Sequence, residues 1–488
     1  MRTLGNTRPG DRQSVLYTRC TVDLASAGAE FDEVPCANLE DVLGGFGRSF
    51  QMLADLDIRD AFADENPLIV NTGLLTGSGV MTGLRSYFSS YSPIKTSNQG
   101  LPGAMWSAAS GKFGSKLKWT GVDELVFVNK SPQPVYAVVA EGPSGPTLDL
   151  LPADGLRGLT SHEKIMALHA EYADAHFAVV GPAGEHPETV YFAAVALSTE
   201  NQLKSGEEKA RWAGRGGMGS VMGSKNLLAI VAQSKDKRVK RTPVVRDLNR
   251  EIASGVGSRK FREKKAGGAG GTWSNYEPLQ QFYLVPENNF RPAGNDAIEE
   301  IFRNNLEDEF SIKAESCFRC GINCHKNVHE RTAEGGRGEF LAKFDYEPLN
   351  LLSNNLGVSD PREAAALVRR VDLLGMDSIS CGTTIAYVCD YNGRHPDAPI
   401  ANGATFGAFE KIMELVEAAG SGKLPEVGRG VKRLAESLNE PAYAMHVKGL
   451  ELPAYLPDTN PGYPWAIAGG HMSMYTFLLL AQIGRAHV

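Results

Sequence analysis

Arg211-Trp-Ala-Gly214-Arg215-Gly216-Gly217-Met-Gly219-Ser-Val-Met-Gly223-Ser-Lys225-Asn226 sets five glycines among three cations. Gly214, Gly216 and Gly219 satisfy G-x-G-x-x-G, and Asp236 follows downstream. A dinucleotide-binding fold needs a strand running straight into those glycines. The residues in front, Gly206-Glu-Glu-Lys-Ala-Arg211, are polar and charged instead, and the apolar run 190–197 has already ended. A P-loop is excluded too, because Ser224 separates Gly223 from Lys225. What remains is bare backbone N–H flanked by Arg211, Arg215 and Lys225, a setting for a phosphate or another polyanion. A tight glycine turn with solvated arginines is the alternative.

Upstream of this run, residues 1–235 read as β-rich. Short apolar stretches at 67–70, 124–128, 135–140 and 190–197 alternate with Gly, Pro and Asp turns. The basic stretch from Lys235 reads as a linker or a solvated helix start, and residues 267–271 as a glycine loop. From about Asp296 the pattern turns helical. Asp360-Pro361-Arg362-Glu363 is a capping box with Pro at the first helical position. Leu367, Val368, Val371 and Leu374 share the face that follows, and Gly375 can close the helix. Residues 406–419 and 431–438 also read as helices. There is no internal repeat.

The chain has 488 residues, 42% hydrophobic and 22% charged, with a net charge of −7. That is the composition of a globular protein large enough for several domains. The acidic balance argues against nucleic acid as the main partner. No stretch approaches the 18 apolar residues of a membrane span, and the N-terminus has no apolar secretory core. A cytoplasmic location is expected.

The seven cysteines stand at 20, 36, 317, 320, 324, 381 and 389. Cys317-x-x-Cys320-x-x-x-Cys324 can converge on one cofactor. Spacing leaves two readings open: a [4Fe–4S] cluster with a fourth ligand from elsewhere, or zinc completed by His325 or His329. Three unrelated structural cysteines do not account for this density. Farther on, Asp372-x-x-Gly375-Met376-Asp377-Ser-Ile-Ser380-Cys381 places two carboxylates around a helix end, where acceptors can hold the N–H groups of a heterocycle. Solvated aspartates are the simpler reading. Glu347 and His471 can do acid–base work only if they meet in one pocket.

These pieces occur in this order in the aldehyde ferredoxin oxidoreductase family, which the chain resembles over nearly its whole length. The glycine run from Arg211, the upstream Gly73-Leu-Leu-Thr-Gly77 with Thr82-Gly-Leu-Arg85, and Gly111-Lys-Phe-Gly114 are similar to the family's pterin-contacting stretches. The cysteine triplet, Tyr346-Glu347, the Asp372 motif and Gly449-Leu-Glu-Leu-Pro-Ala-Tyr455 follow with similar spacing. The resemblance implies an α+β fold: a β-rich N-terminal pterin-binding domain (1–235), a mainly helical domain with the cysteines and one pterin motif (236–440), and the start of a truncated helical domain (441–488). It implies a tungsten- or molybdenum-pterin oxidoreductase that oxidises an aldehyde to a carboxylic acid under anaerobic conditions. Electrons would pass through a [4Fe–4S] cluster to ferredoxin or an electron-transfer subunit. Two pterins would hold the metal, with magnesium bridging their phosphates. Arg85, Arg211, Gly214, Arg215, Gly216, Asp372, Gly375, Met376 and Asp377 would bind the pterins. Glu347 and His471 would lie beside the metal, Cys317, Cys320 and Cys324 would ligate the cluster, and Cys381 is a candidate metal ligand. A homodimer or membership of a complex is expected.

Three departures from the family pattern stand out. Ser107-Ala-Ala-Ser110 lacks the usual Asn, Leu-Pro-Asp-Thr-Asn-Pro follows Tyr455, and Cys381 stands where a small hydroxyl residue is usual. The final Ile483-Gly-Arg-Ala-His-Val488 matches one reading frame of a common sequencing adapter. The expectation is a longer natural protein, with a further Asp-x-x-Gly-x-Cys motif supplying the fourth cluster ligand, and an inactive chain without it. Two rival readings are a tungsten subunit of the benzoyl-CoA reductase type and a non-catalytic protein stabilised by zinc or a cluster.

Overall fold

A computed structural model describes residues 15–36, 44–255, 258–259, 262, 270–294, 296–301 and 303–457. The N-terminal half is built on two six-stranded sheets. The first runs Gly28–Cys36, Val15–Asp23, Glu124–Val128, Leu68–Thr72, Ser86–Thr96, Pro102–Ala109; the second runs Arg211–Ala213, Val195–Leu197, Ala175–Val180, Leu227–Gln233, Val135–Gly142, Gly145–Pro152. Each sheet has one parallel pairing, Val15–Asp23 with Glu124–Val128 and Leu227–Gln233 with Val135–Gly142, among antiparallel ones. The central strand Leu227–Gln233 is buried almost end to end, so it reads as a continuous apolar run. Helix Phe113–Thr120 lies against strands of both sheets and is buried at every position but Lys118. Its closing Gly121 adopts φ 105°.

The C-terminal half carries the helices Tyr346–Leu351, Pro361–Leu374, Ser378–Arg394, Phe409–Gly420 and Val431–Ser437. Asp360 caps the second by accepting from Arg362 N at 2.8 Å and Glu363 N at 3.0 Å, and Gly375 closes it at φ 77°. One continuous hydrophobic core runs from the sheets into these helices. The whole is an α+β fold, and among the described residues no helix is long and apolar enough to cross a membrane.

Two expectations change. Residues 310–343, expected to be helical, form the three-stranded antiparallel sheet Phe310–Glu315, His325–Arg331, Arg337–Lys343. Buried polar side chains such as Asn327 and His329 fill one strand, so no apolar alternation marks it in sequence. In the run 190–197 only Val195–Leu197 is strand. Ala193 bridges to Met376, Ala194 N donates to Gly375 O at 2.8 Å, and Asp377 N donates to Phe192 O at 2.9 Å. That backbone pairs with the C-terminal half instead of its own sheet.

Candidate cofactor and redox site

The cysteine loop joins strands Phe310–Glu315 and His325–Arg331. Arg319, Gly321 and Asn323 take left-handed φ values of 53°, 69° and 54°, and Cys320 N donates to Cys317 O at 3.0 Å. These residues turn the loop sharply, with Cys317 buried and Cys320 and Cys324 half-buried, none of them in a disulfide. Burial, reinforced by Cys317 and Cys324, pushes the Cys320 thiol up to about 11. His325 places Nε2 3.4 Å from Cys317 Sγ. Its burial, together with Arg211, Lys343, Lys209 and Lys326, holds that imidazole neutral.

A zinc tetrahedron, with Zn–S near 2.3 Å, needs its donors gathered around one point. Among the described residues no three Cys, His, Asp or Glu side chains gather in that way. The three thiols lie along one loop beside a cation.

That cation is Arg211, whose Nη2 stands 3.7 Å from Cys324 Sγ. Against the burial that would lower it, Cys317, Cys324, Asp345 and Cys320 hold the guanidinium firmly charged. Arg211 opens the edge strand Arg211–Ala213, paired with Val195–Leu197. The glycines that follow serve packing more than ligand approach. A Cβ on Gly216 would lie 2.5 Å from Met105 Cγ, on Gly217 2.1 Å from Tyr191 O, on Gly219 2.5 Å from Ala194 O, and on Gly223 1.6 Å from Gly184 O. Gly214 differs, with nothing nearer than Trp212 Cβ at 4.0 Å. Lys225 turns into the base, donating to Asp64 O and Asn129 O at 3.2 Å each, and burial lowers it to about 8.

Arg215 is buried. Its N–H donates to Ser107 Oγ at 3.2 Å, Nη2 donates to Glu451 O at 2.5 Å, and Nε reaches Asp377 Oδ2 at 3.4 Å. Ser107 thus meets the glycine run although its stretch lacks the Asn. Arg85 is exposed at the start of strand Ser86–Thr96, whose Phe88 pairs with Ser107.

Asp377 caps helix Ser378–Arg394 through Ile379 N at 3.1 Å. Ser380 Oγ lies 2.7 Å from both Asp377 Oδ2 and Glu451 Oε2. One hydroxyl proton serves only one of these contacts, so the other needs a proton on a carboxyl. Burial lifts the Glu451 acid to about 7 although the Ser380 hydroxyl and Val431 N–H pull it down, so below that pH Glu451 is the carboxyl that carries the proton. Gly375 and Met376 are held by the backbone pairing described above, and a Cβ on Gly375 would meet Gly181 N at 2.7 Å. Cys381 is fully buried, and burial with Asp377 and Glu451 raises its thiol pKa. Asp372 is half-buried, and burial lifts it to about 6.

Glu347 sits in the first turn of Tyr346–Leu351, buried, with Tyr455 Oη donating to Oε1 at 3.4 Å. Burial first, then the neighbouring Asp345, pushes it up to about 7. Tyr346 Oη donates to Ala454 O at 2.7 Å, and its ring lies 5.5 Å from that of Tyr455. Asp345 pairs with Lys343 at 3.2 Å and Arg211 at 3.9 Å. Against its burial, these two cations hold it below the usual carboxylate range. The structure therefore brings Arg211, Asp345 and the cysteine loop together, and Arg215, Asp377 and Glu451 together. His471 lies outside the described residues. Sequence reasoning passed over Asp345 and Glu451. The first stands two residues before Glu347, and the second is a lone acid between Leu450 and Leu452.

Two family models match the chain. The aldehyde ferredoxin oxidoreductase N-terminal domain covers residues 19–234, and domains 2 and 3 of the same family cover 249–472. The tungsten-containing aldehyde ferredoxin oxidoreductase of Pyrococcus abyssi is 31% identical over 88% of this chain and 69% of its own length. The aliphatic sulfonate oxidoreductase WOR-like subunit of Pyrococcus furiosus is 27% identical over 81% of this chain and 63% of its own. In fold, the chain is similar to the active-site complex BamBC of benzoyl coenzyme A reductase, with TM-score 0.72, 20% identity, 90% of this chain and 67% of that one. With both family models matched along nearly the whole chain, the protein belongs to the aldehyde ferredoxin oxidoreductase family.

Proposed function

We propose that the chain is a tungsten- (or molybdenum-) pterin oxidoreductase that converts an aldehyde to a carboxylic acid and delivers the electrons to ferredoxin. The observation that carries this reading is Arg211, which touches the curled three-cysteine loop on one side and Asp345, two residues from Glu347, on the other. When bound, the metal–pterin supplies a two-electron oxidant, and a [4Fe–4S] cluster on Cys317, Cys320 and Cys324 supplies a one-electron exit.

The chain's own residues do the rest. Arg85, Arg211 and the open Gly214 backbone would hold the pterin phosphates, with magnesium between them, and Asp372 would face a pterin heterocycle. Arg215, fixed by Asp377 and Glu451, stiffens the seam between the two halves. Aldehyde plus water gives carboxylic acid, two protons and two electrons. Glu347, poised near neutral pH, is suited to take one proton, and His471 is the second proton carrier in this reading.

A second reading, a relative acting on another carbonyl such as a benzoyl-CoA reductase type subunit, is favoured by the altered segment after Tyr455. Anaerobic purification with elemental analysis, then dye-linked screening of aldehydes and aryl-CoA thioesters, tests both. Tungsten or molybdenum with iron is expected, and aldehyde turnover from the protein in its full natural form. Zinc alone would leave only the binding-protein reading.

A further inference from the structure

We propose that helix Pro243–Ser254, the basic run before it and the exposed corner of the cysteine loop form the docking surface for a small acidic electron-carrier protein. The inference rests on the proposed function, in which the cysteine loop is the electron exit.

Residues 235–250 hold seven Lys and Arg against two Asp, in a chain whose net charge is −7. Both acids are already engaged. Asp236 pairs with Lys112 and Lys116, and Asp247 with Arg250. Arg238, Lys240, Arg241 and Arg246 are exposed. This positive patch lies beside the cysteine loop. Arg319, between Cys317 and Cys320, donates to Lys237 O at 3.0 Å. Its guanidinium lies 5.5 Å from the Trp119 ring centroid. Burial and then the like charge of Arg241 lower the Arg319 pKa.

The helix reaches the loop through residues 79–81. Asn249 Oδ1 accepts from Met81 N at 2.7 Å, and Nδ2 donates to Gly79 O at 2.9 Å. A Cβ on Gly321, the exposed tip of the loop, would lie 3.1 Å from Met81 Cε. With Val245 and Asn249 turned inward, the outer face presents Val244 and Leu248 one turn apart, 75% and 39% exposed. Exposed apolar side chains rimmed by one sign of charge suit a protein partner of opposite sign. The surface adjoins the loop that carries the thiols. Each encounter would transfer one electron, oxidising the cluster and reducing the carrier.

The test measures binding of an oxidised acidic bacterial ferredoxin to the anaerobically purified protein, at low and moderate salt. The variants are Arg241→Glu with Arg238→Glu, and Val244→Asp. None of these residues is in the cofactor site, and all are exposed, so fold and viologen-linked turnover should be kept. A Kd raised at least tenfold in both variants, and weakened in the parent by added salt, is expected. Unchanged binding in the variants overturns this surface. A parent that binds a DNA duplex but no ferredoxin overturns the proposed partner. Viologen-linked aldehyde oxidation by the same parent preparation tests the proposed function separately.

Discussion

Arg211 Nη2 stands 3.7 Å from Cys324 Sγ, which joins the glycine run to the cysteine loop across 113 positions. The same guanidinium pairs with Asp345, so one fixed charge lies between the thiols and the carboxylates near Glu347. Position makes this arginine electrostatically consequential. It faces three potential thiolates, and a unit charge at such a distance is worth up to about 4 kcal/mol at an effective dielectric near 20.

Replacing Arg211 by Ala should lower iron content and shift the cluster's reduction potential negative, by on the order of 100 mV, because a cation favours the more negative reduced state. Arg211→Lys should recover most of the shift. Iron and sulfide analysis with a redox titration reads both. An unshifted potential in Arg211→Ala would count against the cluster's placement at this loop.

Glu347 titrates near pH 7 because it is buried beside Asp345. As a base it works only when ionised, so turnover should rise with pH through about 7. Glu347→Gln should cost roughly 10²–10⁴-fold in rate and remove that limb of the profile. Near-normal turnover in the variant, measured with a viologen dye, rejects the role.

For Glu451 the expectation concerns stability. The folded protein holds its proton up to about pH 7, whereas an ordinary glutamate releases it near 4.5. Between those values the folded state binds more protons, so stability is greatest below the window and falls as pH rises through it. Glu451→Gln mimics the protonated acid. Its Tm relative to the parent should therefore rise between pH 5 and pH 8. A parallel pair of Tm curves would show that this carboxyl does not titrate in the fold.

Gly214 and Gly223 should respond in opposite ways to Ala. At Gly223 the new Cβ meets Gly184 O at 1.6 Å, so a loss of about 1–3 kcal/mol or more is expected in denaturant titration. At Gly214 there is room, and stability should stay within about 0.5 kcal/mol. Pterin content should nevertheless drop in Gly214→Ala. Full pterin loading there would remove Gly214 from the proposed cradle.

Local chemistry was legible before any coordinates. Asp360, Pro361 and Gly375 mark both ends of one helix, because a cap and a left-handed closing residue act on backbone groups only a few positions away. The cysteine triplet identified its own loop for the same reason, since its three left-handed turns lie within the motif. The three-stranded sheet around it was not legible, because its buried polar residues find partners far along the chain, as His329 does in Glu207 at 3.2 Å.

The sequence by itself determined the residue types available: three thiols on one short loop, a glycine run flanked by arginines, and acids beside tyrosines. Only the tertiary structure decided what each one does. It set Gly217, Gly219 and Gly223 close against backbone and Gly216 against the Met105 side chain, and left Gly214 open. It turned Lys225 into the base while Arg211 met the thiols. It also lifted Glu347 and Glu451 to about 7. The physical reason is that steric room, burial and the distance to another charge are set by chain segments far apart in sequence, and no local pattern encodes them.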